Sequence, residues 1–256
     1  MNAGLAAGGT LGSRVYLTVV IPAFDEVDRI GATVQRVLAY LDRQPFTSEL
    51  VVVLDGGRPG ADRAIARAAG GRPNVHVLDN GCNRGKGFSI RRGVSASRGA
   101  VVVCLDADLS LPIEESHRLV SAIEAGADVA IGSRALPDSV ERGEPQRLRH
   151  LLSRLFNQIV RRVAVSGFAD TQCGFKAFAG ERARRLFRVQ RLDGFGFDVE
   201  VLRIAIRRGY RVVEVPVTCE YRATSSVRKL RDGVSMLVDL ARLRWHDARG
   251  HYDDVS

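Results

Sequence analysis

Two carboxylates stand one residue apart in VVVCLDADLSLP, Val101–Pro112, where an apolar run gives way to Asp106-Ala107-Asp108. Side chains at i and i+2 of an extended segment point the same way. Two acids held there repel each other unless a cation lies between them. Mg²⁺ or Mn²⁺ meets that need, taking oxygen ligands from one or two carboxylates and from phosphate groups. Asp106 and Asp108 are therefore candidate metal ligands, and the chemistry they suggest is neutralisation of a phosphorylated substrate. A DxD triplet is also common in turns; what favours the metal here is its place at the end of a buried strand.

A second polar cluster is the loop NGCNRGKG, Asn80–Gly87, before a helical segment. Gly85, Lys86 and Gly87 could cradle phosphate at a helix start, or the glycines could allow close packing. The sequence has neither GxxxxGK[ST] nor GxGxxG after its first strand.

The elements that position these groups read as alternating strands and helices. Strands are expected at Val15–Ile21 (ended by Pro22), Glu49–Leu54, Val75–Leu78, Ala100–Leu105 and Asp128–Ile131. Helices are expected at Asp28–Leu41, Asp62–Ala69, Gly87–Ala96 and Ile113–Ala125. That alternation predicts an α/β fold with a mainly parallel sheet flanked by helices, and ligands beyond the carboxyl ends of the strands. Those ends carry Pro22–Glu26, Asp55-Gly56-Gly57, Asn83–Gly87 and the acid pair.

Beyond Arg134 the texture changes. Leu136–Pro145 reads as a polar loop. Arg147–Val165 carries an i, i+3, i+4, i+7 apolar stripe opposite Arg147, Arg149, Arg154, Arg161 and Arg162. It is either a core helix with a solvated basic face or a helix lying at a membrane surface. Val227–Trp245 has the same character. The expected organisation is a flexible tail at 1–14, one domain at 15–225 and a basic amphipathic helix with tail at 226–256.

The 256 residues carry 38 basic against 29 acidic side chains, a formal net charge of +9, and only Lys86, Lys176 and Lys229 are lysines. Codon bias explains the arginine excess as well as a phosphate-rich partner does. Aromatic content of 6% and the lack of helix-turn-helix, RNP or zinc-finger patterns argue against nucleic acid. Cys82, Cys104, Cys173 and Cys219 show no CxxC pairing, which suits reduced thiols in a cytosolic protein. No apolar run approaches the ~20 residues of a membrane span.

The succession VVIPAFDE, VVVLDGG, NRGKGFSIRRG, VVVCLDADLSLP, IGSR, RHLLSRLFN, DTQCGFKAF and GFGFDVEVL resembles the family 2 glycosyltransferases of GT-A fold. Within that family it is most similar to the dolichyl-phosphate (polyprenyl-phosphate) glucosyl- and mannosyltransferases, from about Tyr16 to Leu240. The resemblance implies a GT-A, Rossmann-like fold, and roles for matching residues. Pro22, Phe24 and Glu26 would lie against the nucleotide base, and Asp55 would bind it. Asp106 and Asp108 would hold the metal and diphosphate, with Lys86 and Lys229 as further donor contacts. Arg134, Arg149 and Ser153 would grip the acceptor phosphate. Asp170–Lys176 would lie near the sugar, and Asp198 on the acceptor side. Asp108, Arg134, Asp170 and Asp198 are the catalytic candidates; Asp170 could equally be a turn cap. Three departures are Asp55-Gly56-Gly57, where DDGS is usual, Asp25, where Asn is usual, and Ser225-Ser226-Val227-Arg228-Lys229, where an SK pair is usual.

The expected activity is metal-dependent, inverting transfer of glucose from UDP-glucose to a polyprenyl phosphate. GDP-mannose as donor, or a small-molecule acceptor, are the alternatives. The family members' trailing membrane helices have no counterpart here, so the expectation is a peripheral protein on the cytoplasmic face of a membrane, acting alone or with a membrane-protein partner. A nucleotidyltransferase could also use DxD, but would leave DTQCGFK and GFDVE without a role.

Overall fold

The computed structural model describes residues 15–142, 158, 160, 164–165, 167–220 and 229–253, with side chains of 229–234 excepted. Nine strands alternate with helices among them. They are β1 Leu17–Ala23, β2 Ser48–Leu54, β3 Val75–Asp79, β4 Val101–Cys104, β5 Val129–Ser133, β6 Val140–Arg142, β7 Lys176–Ala179, β8 Val212–Pro216 and β9 Thr218–Glu220. The helices are α1 Ile30–Leu41, α2 Ala61–Ala69, α3 Lys86–Ala96, α4 Ser116–Glu124, α5 Gly180–Val189, α6 Phe197–Arg207 and α7 Lys229–Ala248.

Seven strands form one sheet in the order β3-β2-β1-β4-β7-β5-β8. Every neighbouring pair is parallel except those made by β7, which runs antiparallel between β4 and β5. Alternate strand residues feed two cores, as the period of two requires. Leu17, Val19 and Ile21 pack with Leu50, Val52 and Val103 against α1 on one face. Val20, Val51, Val53 and Val102 pack with α3, α5 and α6 on the other. Both faces are covered, which is why the parallel strands read as continuous β-branched runs. Each fully buried Val, Leu or Ile contributes roughly 1.5–3 kcal/mol.

The structure departs from the sequence reading in four places. Pro22 does not end β1, which continues to Ala23. Val20 faces β4 and accepts from Leu105, so Pro22 faces the same side, beyond the last β1–β4 pair, Val20↔Cys104. Its missing N–H therefore costs no ladder bond. Ile113–Glu115 is a 3₁₀ turn ahead of α4 rather than its first turn. The expected loop 136–145 contains β6, a fully exposed strand paired in parallel with β9. Finally, β7, β8, α5 and α6 complete the sheet and its second layer without having been expected.

Helix α7 bears out the helix expected at Val227–Trp245 from Lys229 onward; residues 227–228 lie outside the described residues. Its Leu240 and Leu243 enter the second core, and Arg203 and Arg207 of α6 grip its Asp247, Arg203 at 2.8 Å. Of the basic segment Arg147–Val165, Gln158 and Val160 are helical and Val160 is fully buried. Arg149 and Ser153 lie outside the described residues.

Candidate functional site

The carboxyl ends of β1, β2, β4 and β5 bring the polar segments to one rim. After β4 the chain turns through Asp106, Ala107 and Asp108. Thr33 of α1 donates its hydroxyl to the Ala107 carbonyl at 2.6 Å, fixing the turn between the two acids. Asp108 Oδ1 accepts the Ser110 N–H at 2.9 Å. Leu109 then adopts φ +49°, and Asp25 across the rim φ +53°; among the described residues these are the non-glycine positions in the left-handed region. Such strain costs of order 1 kcal/mol or more and collects where function over-determines the backbone.

Asp106 is not free. Lys86, the first residue of α3, holds its Oδ1 at 2.7 Å. Burial would raise the Asp106 carboxyl, but the charges of Lys86, Lys176 and Arg134 outweigh it and keep Asp106 below the usual carboxylate range. Burial would lower the Lys86 ammonium; Asp106, Asp198 and Asp108 reverse that and hold it above its ordinary value. Gly174 makes the pair possible, because a Cβ there would lie 2.4 Å from Asp106 Oδ2 and 2.8 Å from Lys86 Nζ.

Glu26 completes the acidic side. Burial raises its carboxyl, and the nearby charges of Asp108, Asp25 and Asp106 add to the rise against Arg29. Its Oε2 lies 2.6 Å from Arg29 Nε, out of hydrogen-bond alignment. Phe24, by contrast, is exposed at the mouth of the rim, where its ring is open to stacking.

Asp55 is buried and fully engaged with the protein. It accepts from Asn80 Nδ2 at 2.8 Å and from the Arg84 and Gly85 N–H groups at 2.9 Å each. It thereby fixes the loop that delivers Lys86. The glycines of that loop serve close packing: a Cβ on Gly85 would sit 2.3 Å from the Asp193 carbonyl, and one on Gly87 2.3 Å from that of Leu192.

On the other flank Arg134, just past β5, makes a two-point ion pair with Asp170, 2.7 Å and 3.1 Å. Asp170 is itself seated by Glu214, which accepts the Ala169 and Asp170 N–H groups at 2.8 and 3.0 Å. Arg134 offsets the burial of Asp170 and keeps its carboxyl low. Asp198, in the first turn of α6, is buried and ion-paired with Lys176 of β7. Burial raises the Asp198 carboxyl despite Lys176 and Lys86. The sequence reading includes Gly174 and Lys176 only as part of the Asp170–Lys176 segment, with no partner assigned to either. Burial pushes the Cys173 thiol up to about 12.

The structure thus links Glu26, Lys86, Asp106, Asp108, Arg134, Asp170, Lys176 and Asp198 in one chain of charge interactions, each within reach of at least one other. The side chain of Lys229 lies outside the described residues, as do Arg149 and Ser153. Among the described residues no three His, Cys, Asp or Glu side chains stand close enough to cage a metal ion. Asp106 and Asp108 offer only oxygen donors, the ligand chemistry a hard cation takes when phosphate and water supply the rest.

Comparison with known proteins gives this geometry a family. The chain is 34% identical over 241 residues to the dolichyl-phosphate beta-glucosyltransferase ALG5C of Trichomonas vaginalis, covering 90% of this chain and 71% of that protein. It is 32% identical over 202 residues to the dolichyl-phosphate beta-glucosyltransferase of Homo sapiens, covering 74% of this chain and 62% of that one. In fold it is similar to glucosyl-3-phosphoglycerate synthase from Mycobacterium tuberculosis, solved with Mn²⁺, UDP-glucose and phosphoglyceric acid: TM-score 0.67, 16% identity, 93% of this chain and 85% of that one. The same enzyme with Mg²⁺ and UDP gives a TM-score of 0.65 at 17% identity, over 90% and 79% of the chains. The Glycosyl transferase family 2 profile matches residues 18–185, across the acid pair, the Lys86 loop and the Arg134–Asp170 pair, and the chain belongs to that family.

Proposed function

We propose that this nucleotide-sugar-dependent hexosyltransferase moves glucose from UDP-glucose onto a polyprenyl phosphate, giving a polyprenyl-phospho-β-glucose. The observation that carries the reading is the meeting of two groups of paired charges on one rim. Asp106, Asp108 and Lys86 form one; Arg134 and Asp170 form the other. The names of the curated relatives, dolichyl-phosphate beta-glucosyltransferases, support the sugar and the lipid acceptor.

Asp106 and Asp108 would hold Mg²⁺ or Mn²⁺, which when bound supplies positive charge to the leaving diphosphate. The protein's own groups do the rest. Phe24 offers its exposed ring to the base, beside Pro22. Asp55 holds the loop that carries Lys86, whose ammonium reaches the donor's phosphates. Arg134 presents a guanidinium to the acceptor phosphate, with Asp170 fixing its plane; Arg149 and Ser153 are proposed to join it. An acceptor phosphate is already anionic at neutral pH, so positioning and electrostatics carry the rate rather than a strong base. Attack by its oxygen on the face opposite the leaving group inverts the anomeric centre.

A lipid acceptor would bring the chain to a membrane surface, and α7 supports this reading. Leu237, Val238 and Trp245 are about half exposed on its outer side, with Arg242 and Arg249 beside them and no acid on that side among the described residues. No helix among the described residues is long and apolar enough to cross a membrane. The proposed location is the cytoplasmic membrane face, as a peripheral protein, alone or docked to a membrane protein.

The test is incubation with labelled UDP-glucose or GDP-mannose, Mg²⁺ or Mn²⁺, and polyprenyl phosphate, followed by organic extraction. Label extracted from UDP-glucose supports the reading. Label from GDP-mannose alone changes the donor, and label that stays in the aqueous phase on a small acceptor overturns the lipid assignment.

A further inference from the structure

Asp106 already has a cation in contact. The Lys86 ammonium sits 2.7 Å from Oδ1, the same carboxylate that a divalent cation would need. Behind Lys86 lies a second buried pair. The Lys176 ammonium donates to Asp198 and to the Cys173 carbonyl, and neither charged side chain is more than a few per cent exposed. The charges alternate inward from the rim: Asp106, Lys86, Asp198, Lys176. Lys86 is thus drawn two ways, outward to Asp106 and inward to Asp198, and Lys176 weakens the inward pull. A lysine head is a point charge on a flexible stem, able to change partner without moving its helix. A dipositive ion and an ammonium at contact distance from one carboxylate repel strongly where water is scarce.

We propose that Lys86 is the resident counter-ion of Asp106, yielding that carboxylate to an arriving divalent cation and moving onto the donor's diphosphate, while the Asp198–Lys176 pair sets how firmly it is held. Lys176 is then a positioning residue, acting on Lys86 through Asp198 in addition to its direct charge on Asp106, without touching substrate. The inference rests on the reading of the rim as a metal-and-diphosphate site.

The arrangement makes opposite-signed effects. In Lys86→Met the metal has no competitor, so Mn²⁺ alone binds tighter, by about tenfold for one charge removed at short range. In the same variant UDP binds more weakly at saturating Mn²⁺, because the diphosphate has lost its ammonium. Lys176→Met leaves Asp198 free to draw Lys86 inward, so Mn²⁺ binds tighter. Asp198→Asn leaves Lys86 to Asp106 alone, so Mn²⁺ binds more weakly. A purely structural role would weaken binding in every variant.

The experiment is Mn²⁺ titration of the purified full chain by electron paramagnetic resonance, with UDP binding by calorimetry, on the three variants and the unaltered protein. Lys86 is partly exposed, so Lys86→Met carries the test even if a substitution at the buried pair unfolds the protein. Tighter Mn²⁺ with weaker UDP in Lys86→Met supports the proposal. If the unaltered protein takes up Mn²⁺ and Lys86→Met takes it no more tightly, the counter-ion role is overturned while the metal reading stands. If the unaltered protein takes up no Mn²⁺, the metal reading falls and this inference with it. Lys176→Met and Asp198→Asn shifting affinity in the same direction removes the role given to the buried pair.

Discussion

Arg134 and Asp170 hold each other at two points, Nε to Oδ2 at 2.7 Å and Nη2 to Oδ1 at 3.1 Å, and the Arg134 N–H reaches the same Oδ2 at 3.2 Å. The acid expected to orient the sugar thus orients the arginine expected to grip the acceptor. Asp170→Ala strands a largely buried guanidinium, which costs roughly 3 kcal/mol. Chemical denaturation should show that loss, and a midpoint equal to that of the unaltered protein would contradict the pairing. Arg134→Lys keeps the charge but not the two-point grip, so its KM for acceptor phosphate should rise more than its KM for donor.

Gly174 tests the acid pair without touching it. A Cβ at this position would lie 2.4 Å from Asp106 Oδ2, so the carboxylate must shift. Gly174→Ala should lower kcat/KM about a hundredfold, the scale of a displacement near 1 Å, while the melting temperature moves little. Full activity in a well-folded Gly174→Ala protein would remove Asp106 from the mechanism.

The first five strands were legible because a sheet covered on both faces writes β-branched runs into the sequence, as VVIPA and LVVVL do. KAFA, the β7 strand, is too short and carries a lysine, so nothing local announces it. It is held by antiparallel pairing with β4 and β5, and its Lys176 meets Asp198 from a different element. The acid pair and Glu26 could be placed on the rim from strand ends alone, and Arg134 only from the family resemblance. The partners could not: Lys86 on Asp106, Asp170 on Arg134 and Asp55 on the Asn80–Gly85 loop are tertiary contacts that leave no spacing in the chain. The glycines beside Lys86 were ambiguous for the same reason, since the carbonyls of Leu192 and Asp193 they make room for come from a distant segment.

The outer side of α7 can be separated from the fold. Leu237, Val238 and Trp245 are about half exposed and contribute little to the core. Replacing all three with Ser should leave the melting temperature unchanged and cut co-sedimentation with anionic liposomes several-fold. Activity on a short-chain, detergent-soluble polyprenyl phosphate should persist. Unchanged liposome binding would take α7 out of the membrane contact.

Glu49 gives the acid sensitivity of the sheet a named source. Burial would raise its carboxyl, but hydrogen bonds from the Arg98 N–H, the Thr18 hydroxyl and the Arg98 guanidinium hold it below the usual range. A carboxyl lowered by folding stabilises the protein above its unfolded value of about 4.3 and loses that contribution as pH falls through the folded value. Glu49→Gln should therefore melt lower near neutral pH, with the gap to the unaltered protein narrowing on acidification below about pH 4. A gap that is constant with pH would contradict the ion-pair assignment.

The claim that Asp106 and Asp108 hold the cation for the leaving diphosphate is tested most directly by Asp108→Ala. Asp108 makes one local hydrogen bond, to the Ser110 N–H, so its loss should leave the fold intact. The measurement is transfer of label from UDP-glucose into extractable lipid, with Mn²⁺ present or removed by chelator. The account predicts that chelator abolishes transfer by the unaltered protein and that Asp108→Ala, folded by circular dichroism, transfers at or below about one per cent of its rate. Full, chelator-sensitive transfer by Asp108→Ala would contradict it.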